Sequence, residues 1–115
     1  MIFSRNFLGI FWFSAISPLE QGEEVLEGWV TIGHEVRAFR PCGRQADLWL
    51  LGQSPALKLI MVAHHDAPAR LEPYTRVFMV LAGRITERPT DGFGADYDAA
   101  FLATQFVRVW PKGKC

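Results

Sequence analysis

The chain has 115 residues, a length that suits one domain, and 50% of them are hydrophobic, which excludes an intrinsically disordered chain. Its 12 basic and 12 acidic side chains cancel. Nucleic-acid binders draw much of their affinity from phosphate neutralisation, so a neutral chain with an acidic cluster at Glu20, Glu23, Glu24 and Glu27 argues against a polyanion partner.

In chain order, Met1–Asn6 carries one charge, Arg5, and an apolar run of about 10 residues follows, Phe7–Ile16. A membrane span needs about 20 such residues, whereas the hydrophobic region of an export signal needs about 7–15. Ala15-Ile16-Ser17 places small residues at the two positions a signal peptidase reads, although Pro18 would follow the cut. Residues 1–17 are therefore expected to form an export signal or a relic of one, and the mature domain is expected to lack a transmembrane span. The alternative is a strand or helix packed on the core. No cysteine lies near this boundary, so no lipid-attachment site is encoded there. Residues 18–24 read as a polar linker and 25–115 as the domain.

Val25–Ile32 alternates, with Leu26, Gly28, Val30 and Ile32 on one side, the period of a half-buried strand. Gly33-His34 signals a turn. Glu35–Arg40 reads as a short second strand with Val36 and Ala38 inward, and Pro41 ends it. Leu48–Leu51 is a brief third strand. Ser54-Pro55 supplies an N-cap and a first-turn proline, and Leu57, Ile60, Met61 and His64 recur at helical spacing, so a helix is expected over about residues 55–65. Thr75–Ile85 is the longest strand, with Val77, Met79, Leu81 and Ile85 facing one way and Gly83 marking a bulge. After a loop at Pro89–Gly94, Phe101–Trp110 forms the last strand.

Three strands, a helix and two further strands, with glycines inside the long strands, predict a mainly β chain. The expected fold is a small five-stranded OB-like Greek-key barrel with one helix between the third and fourth strands. Gly28 and Gly83 are where long strands would coil. The competing architecture is an open α+β sheet covered by the helix.

The run Gly28-Trp29-Val30-Thr31-Ile32-Gly33-His34-Glu35-Val36-Arg37-Ala38-Phe39-Arg40-Pro41-Cys42-Gly43 resembles the start of the C-terminal OB-fold domain of NlpE-type envelope lipoproteins and of related small exported proteins. The strand Val77–Gly83 and the pair Trp110-Pro111 ahead of Cys115 extend the resemblance over about residues 25–115. The Cys-x-x-Cys pair of that family's N-terminal domain has no counterpart here, so what the resemblance carries over is structural. Cys42 matches the first cysteine of the domain and Cys115 the second.

These are the only two cysteines, and the resemblance together with the export reading implies a disulfide between them. The alternative is two unrelated thiols in a cytoplasmic protein. A catalytic cysteine would need a base such as His34, and no spacing establishes one.

His34 and His64 are candidate metal ligands. For His34 the alternative is a turn residue, and for His64 a helix-end imidazole favoured by the macrodipole. Adjacent helical residues point about 100° apart, so His64 and His65 cannot share one ion on an intact helix. Asp91, Asp96 and Asp98 do not match a calcium-loop spacing. Trp29, Trp49 and Trp110 are candidates for a stacking platform of the kind OB folds use, against the alternative of core and barrel-closing aromatics. No phosphate loop, catalytic triad or cofactor motif is present. The expected function is non-enzymatic binding in the bacterial cell envelope, periplasmic or envelope-associated, to an envelope protein or small ligand, with no cofactor. The alternatives are an OB-type binder of single-stranded nucleic acid or oligosaccharide, and a small metal-binding envelope protein.

Overall fold

The computed structural model describes residues 22–67 and 75–115. The export-signal reading and residues 18–21 of the linker lie outside them. Five strands and one helix follow in the order β1 (Glu24–Gly33), β2 (Val36–Pro41), β3 (Leu48–Gly52), α1 (Ala56–Asp66), β4 (Arg76–Glu87) and β5 (Ala99–Val109), with a 3-10 turn at Phe93–Asp96 before β5.

The strands close into a barrel in the order β1-β2-β3-β5-β4, and β4 returns to β1. All neighbours are antiparallel except β3 and β5, which run parallel. Closure removes the exposed strand edges that an open sheet would leave, and this order with α1 between β3 and β4 is the OB-like barrel. The open α+β alternative is thereby set aside.

Closure depends on two glycines. A Cβ at Gly28 would collide with the Arg40 carbonyl oxygen and lie 2.7 Å from Pro41 Cα, so β1 and β2 can cross this closely only without a side chain there. A Cβ at Gly83 would collide with the Leu102 carbonyl oxygen. The β4–β5 register shifts between Val80 and Leu81 and again between Ala82 and Gly83, which leaves Val107 and Thr104 as extra residues on β5. Such bulges bend a strand and raise its twist, as barrel closure requires.

The core joins the inward faces of all five strands to α1. Val30, Phe39, Leu48, Leu50, Ile60, Met79, Leu81 and Phe101 are fully or almost fully buried, and Phe39 meets Phe101 with ring centroids 4.9 Å apart. Each such side chain stabilises the fold by about 1.5–3 kcal/mol relative to exposure. The helix forms because Ala, Leu and Lys favour it and because Ala56, Ile60 and His64 make a buried stripe at i, i+4 and i+8. Ile60 enters the core cluster and so joins α1 to the barrel's interior.

Three local expectations are corrected. Val36 and Ala38 do not face inward; Val30 pairs with Phe39 and Ile32 with Arg37, so register places Phe39 on the core side. Ser54 does not cap α1: Ser54-Pro55 is a cis peptide, Pro55 occupies the N-cap position, and no side chain caps the end. Ile85 keeps the facing of Val77, Met79 and Leu81, since it pairs with buried Phe101, but near the end of β4 it is 41% exposed. Glu23, read as part of the linker, is buried against the barrel, where its carboxylate accepts a 2.9 Å bond from Thr104 and lies 3.4 Å from Arg84.

Candidate functional site

The β1–β2 turn, β2, β3, α1 and the β4–β5 loop enclose a cleft of about 290 Å³. Its walls include Ile32, Val36, Arg37, Trp49, Met61 and Phe93. Trp49 stands on β3 opposite Ala38 of β2, outside the core. The β4–β5 loop leans on it: Tyr97 meets the indole at 5.4 Å, and a Cβ at Gly94 would lie 2.6 Å from Trp49 Cδ1. Glycine is needed at 94 for the 3-10 turn to approach the ring.

Arg37 also approaches the indole. The β2–β3 ladder covers only Ala38–Trp49 and Phe39–Leu48. Where it stops, Arg37 Nε donates to the Leu50 carbonyl oxygen at 2.7 Å, and the guanidinium lies 5.0 Å from the Trp49 ring centroid. Burial lowers the pKa of Arg37 from its ordinary value, yet a guanidinium stays charged at physiological pH. Tyr97 is raised above its ordinary value of 10.0, first by burial and then by the Asp47 and Asp96 carboxylates. The cleft therefore combines a half-buried indole with an anchored guanidinium, Tyr97 supports the indole from the β4–β5 loop, and Phe93, 54% exposed, stands at the rim. Apolar walls with a few fixed polar groups suit a small or narrow ligand.

The three tryptophans are not one platform. Trp29 and Trp110 come together on the outer side of β1 and β4, bridged by Phe78 at 4.9 and 5.8 Å, whereas Trp49 belongs to the cleft. Phe78 is only 2% exposed although it faces outward, because the tail after β5 crosses it. Trp110 N–H donates to the Phe78 carbonyl at 2.9 Å, and Gly113 presses on both rings.

Cys42 and Cys115 are joined in a disulfide with Cα atoms 5.4 Å apart. It holds that tail across β4 and β1 to the end of β2, where Cys42 N–H donates to the Glu27 carbonyl oxygen at 2.8 Å. His34 sits in the β1–β2 turn with Nε2 3.1 Å from Glu35, whose positive φ of 62° makes the turn. His64 is buried, with Nε2 2.8 Å from the Thr75 carbonyl oxygen, tying α1 to the start of β4. His65 is exposed and pairs with Asp66 at 3.1 Å. Among the described residues no group of three His, Cys, Asp or Glu side chains gathers as a metal site requires. No helix among them is long and apolar enough to cross a membrane.

A larger groove, about 590 Å³, runs along the outer side of α1 past Leu57, Met61 and Val62. Two of its polar side chains, His65 and Asp66, are engaged with each other. Arg37, Phe93, Met61 and Tyr97 were not among the sequence candidates. The one local signal for Phe93 is an aromatic residue between two glycines in a loop. Comparison with family models, curated proteins and solved structures gives no match for this chain.

Proposed function

We propose that the chain is an exported, non-enzymatic binding module of the bacterial cell envelope, and that it takes its ligand in the cleft around Trp49. The observation that carries this reading is the assembly of Arg37, Trp49, Met61 and Phe93 from four separate parts of the chain into one recess. OB barrels bind across the strand 2–3 face between the β1–β2 and β4–β5 loops, and the recess lies there. The export part is supported by the disulfide, since oxidising compartments keep such bonds formed. The non-enzymatic part is supported by the same bond, which occupies both thiols, and by His64, whose Nε2 is engaged by a backbone carbonyl.

The test is site-specific photocrosslinking in a bacterial host. A photoreactive residue replacing Phe93 at the rim is expected to capture an envelope component, and one replacing Lys58 on the outer side of α1 is not. Trp49→Ala should abolish the adduct. Equal labelling from both positions, or an adduct that survives loss of Trp49, would overturn the reading.

A second reading, oligosaccharide or single-strand binding at the same cleft, is favoured by Trp49, Tyr97 and Phe93, since sugar and base rings pack on aromatic side chains. Asp47 and Asp96 near Tyr97 favour the neutral sugar over the phosphate chain. Titrating tryptophan fluorescence with chito-oligosaccharides and with oligo-dT at low and high salt separates the two. Salt-sensitive binding of oligo-dT alone would select the nucleic acid.

A further inference from the structure

The chain is neutral in sum, but its charges are not spread evenly. Arg76 of β4, Arg108 of β5, and Lys112 and Lys114 of the tail are all exposed. They belong to the elements that build the Trp29–Phe78–Trp110 face. The disulfide brings the tail alongside Cys42, and so towards exposed Arg44 two residues on. The ion pairs among the described residues join His34 to Glu35, Arg40 to Asp47, His65 to Asp66 and Arg84 to Glu23. None of these uses Arg76, Arg108, Lys112 or Lys114. Glu27 stands on the same side of β1, two residues from Trp29, and offsets one of the cations.

The aromatic residues of this face are arranged in a particular way. The Arg76 guanidinium lies 4.6 Å from the Trp29 ring centroid and that of Arg108 lies 5.0 Å from the Trp110 centroid. Each indole thus has a guanidinium over it. A guanidinium beside an indole suits a headgroup layer. There the apolar body of the ring enters the boundary and the cation stays among phosphates.

We propose that the face formed by Trp29, Phe78 and the disulfide-anchored tail Trp110–Cys115 docks on an anionic phospholipid surface. Arg76, Arg108, Lys112 and Lys114 meet the phosphates, and Trp110, 36% exposed, sits at the boundary. Charge complementarity selects the lipid, and the disulfide keeps Lys112 and Lys114 on the same face as the two arginines. This contact is separate from the cleft around Trp49, and either stands without the other.

The test is sedimentation of the full-length, oxidised protein with vesicles of phosphatidylglycerol mixed into phosphatidylcholine, against phosphatidylcholine alone. The apolar run Phe7–Ile16 can itself bind either vesicle, so the readout is the preference between the two. A preference for the anionic vesicles that falls with salt is expected, with about a fivefold loss for each cation removed. Lys112→Gln with Lys114→Gln, both exposed in the tail, is the variant that leaves the barrel intact, and Arg76→Gln with Arg108→Gln follows if it folds. Lys58→Gln on α1 should change nothing. No preference, a preference untouched by the tail variant, or tighter binding to oligo-dT than to anionic vesicles at equal salt would each overturn the proposal.

Discussion

Replacing both cysteines by serine should cost the barrel a large share of its stability. The bond joins residues 73 apart in sequence. Closing a loop of that length in the unfolded chain removes about 15 cal/mol/K of chain entropy, or about 4 kcal/mol at 25 °C. Single domains have net stabilities of about 5–15 kcal/mol, so the variant should remain folded but become marginal. Urea unfolding followed by tryptophan fluorescence measures the effect, because Trp29 and Trp110 lie beside the tail that the bond secures. With an m-value of about 1–1.5 kcal/mol/M the midpoint should fall by roughly 3 M. The m-value itself should rise, since an uncrosslinked chain unfolds to a more open ensemble. Reduced wild-type protein should behave as the variant does. A midpoint unchanged within about 0.5 M would refute the reasoning, because a long-range crosslink that leaves the unfolded ensemble unaltered is not closing this loop.

Gly83→Ala places a Cβ against the Leu102 carbonyl oxygen and should destabilise the barrel by about 1–3 kcal/mol or more, measured by thermal unfolding. Ile60→Ala removes a fully buried core side chain and should cost about 2–5 kcal/mol, whereas Leu59→Ala, at a position 49% exposed, should stay within about 0.5 kcal/mol. Tyr97 has a folded pKa above its unfolded value of 10.0. Its contribution is therefore full below about pH 10 and is lost as pH rises through the higher folded value. Tyrosinate absorbance in the native protein should show a late-titrating group that Tyr97→Phe removes, and an unchanged alkaline titration would contradict that placement.

The alternation in β1 and in Val77–Leu81 of β4 made those strands legible, because a half-buried strand must alternate and these do. β2 was harder. Val36-Arg37-Ala38-Phe39 offers an apolar residue to each face, and a lone arginine on the side of Phe39 made the wrong face look cleaner. Only pairing of Phe39 with Val30 decides it, and register is a property of two strands. Gly83 was readable as a bulge because a glycine inside a long strand has few other uses. The helix was readable from Ile60 and His64, but its capping was not, since Ser54-Pro55 is equally a cap signal and a cis turn. In the cleft, Trp49 was a candidate from its strand position alone. Arg37, Met61 and Phe93 were not, because they meet only when the barrel closes and the 3-10 turn folds back onto the indole. The separation of Trp49 from Trp29 and Trp110 likewise follows from which strands are neighbours.

Alkylating the protein under denaturing, non-reducing conditions after cell fractionation, and weighing it before and after reduction, tests the proposed export of the disulfide-closed barrel most directly. Protein recovered from the envelope or periplasmic fraction should take up no alkyl group until reduced and then one each at Cys42 and Cys115. Protein confined to the cytoplasm with both thiols free from the start would contradict it.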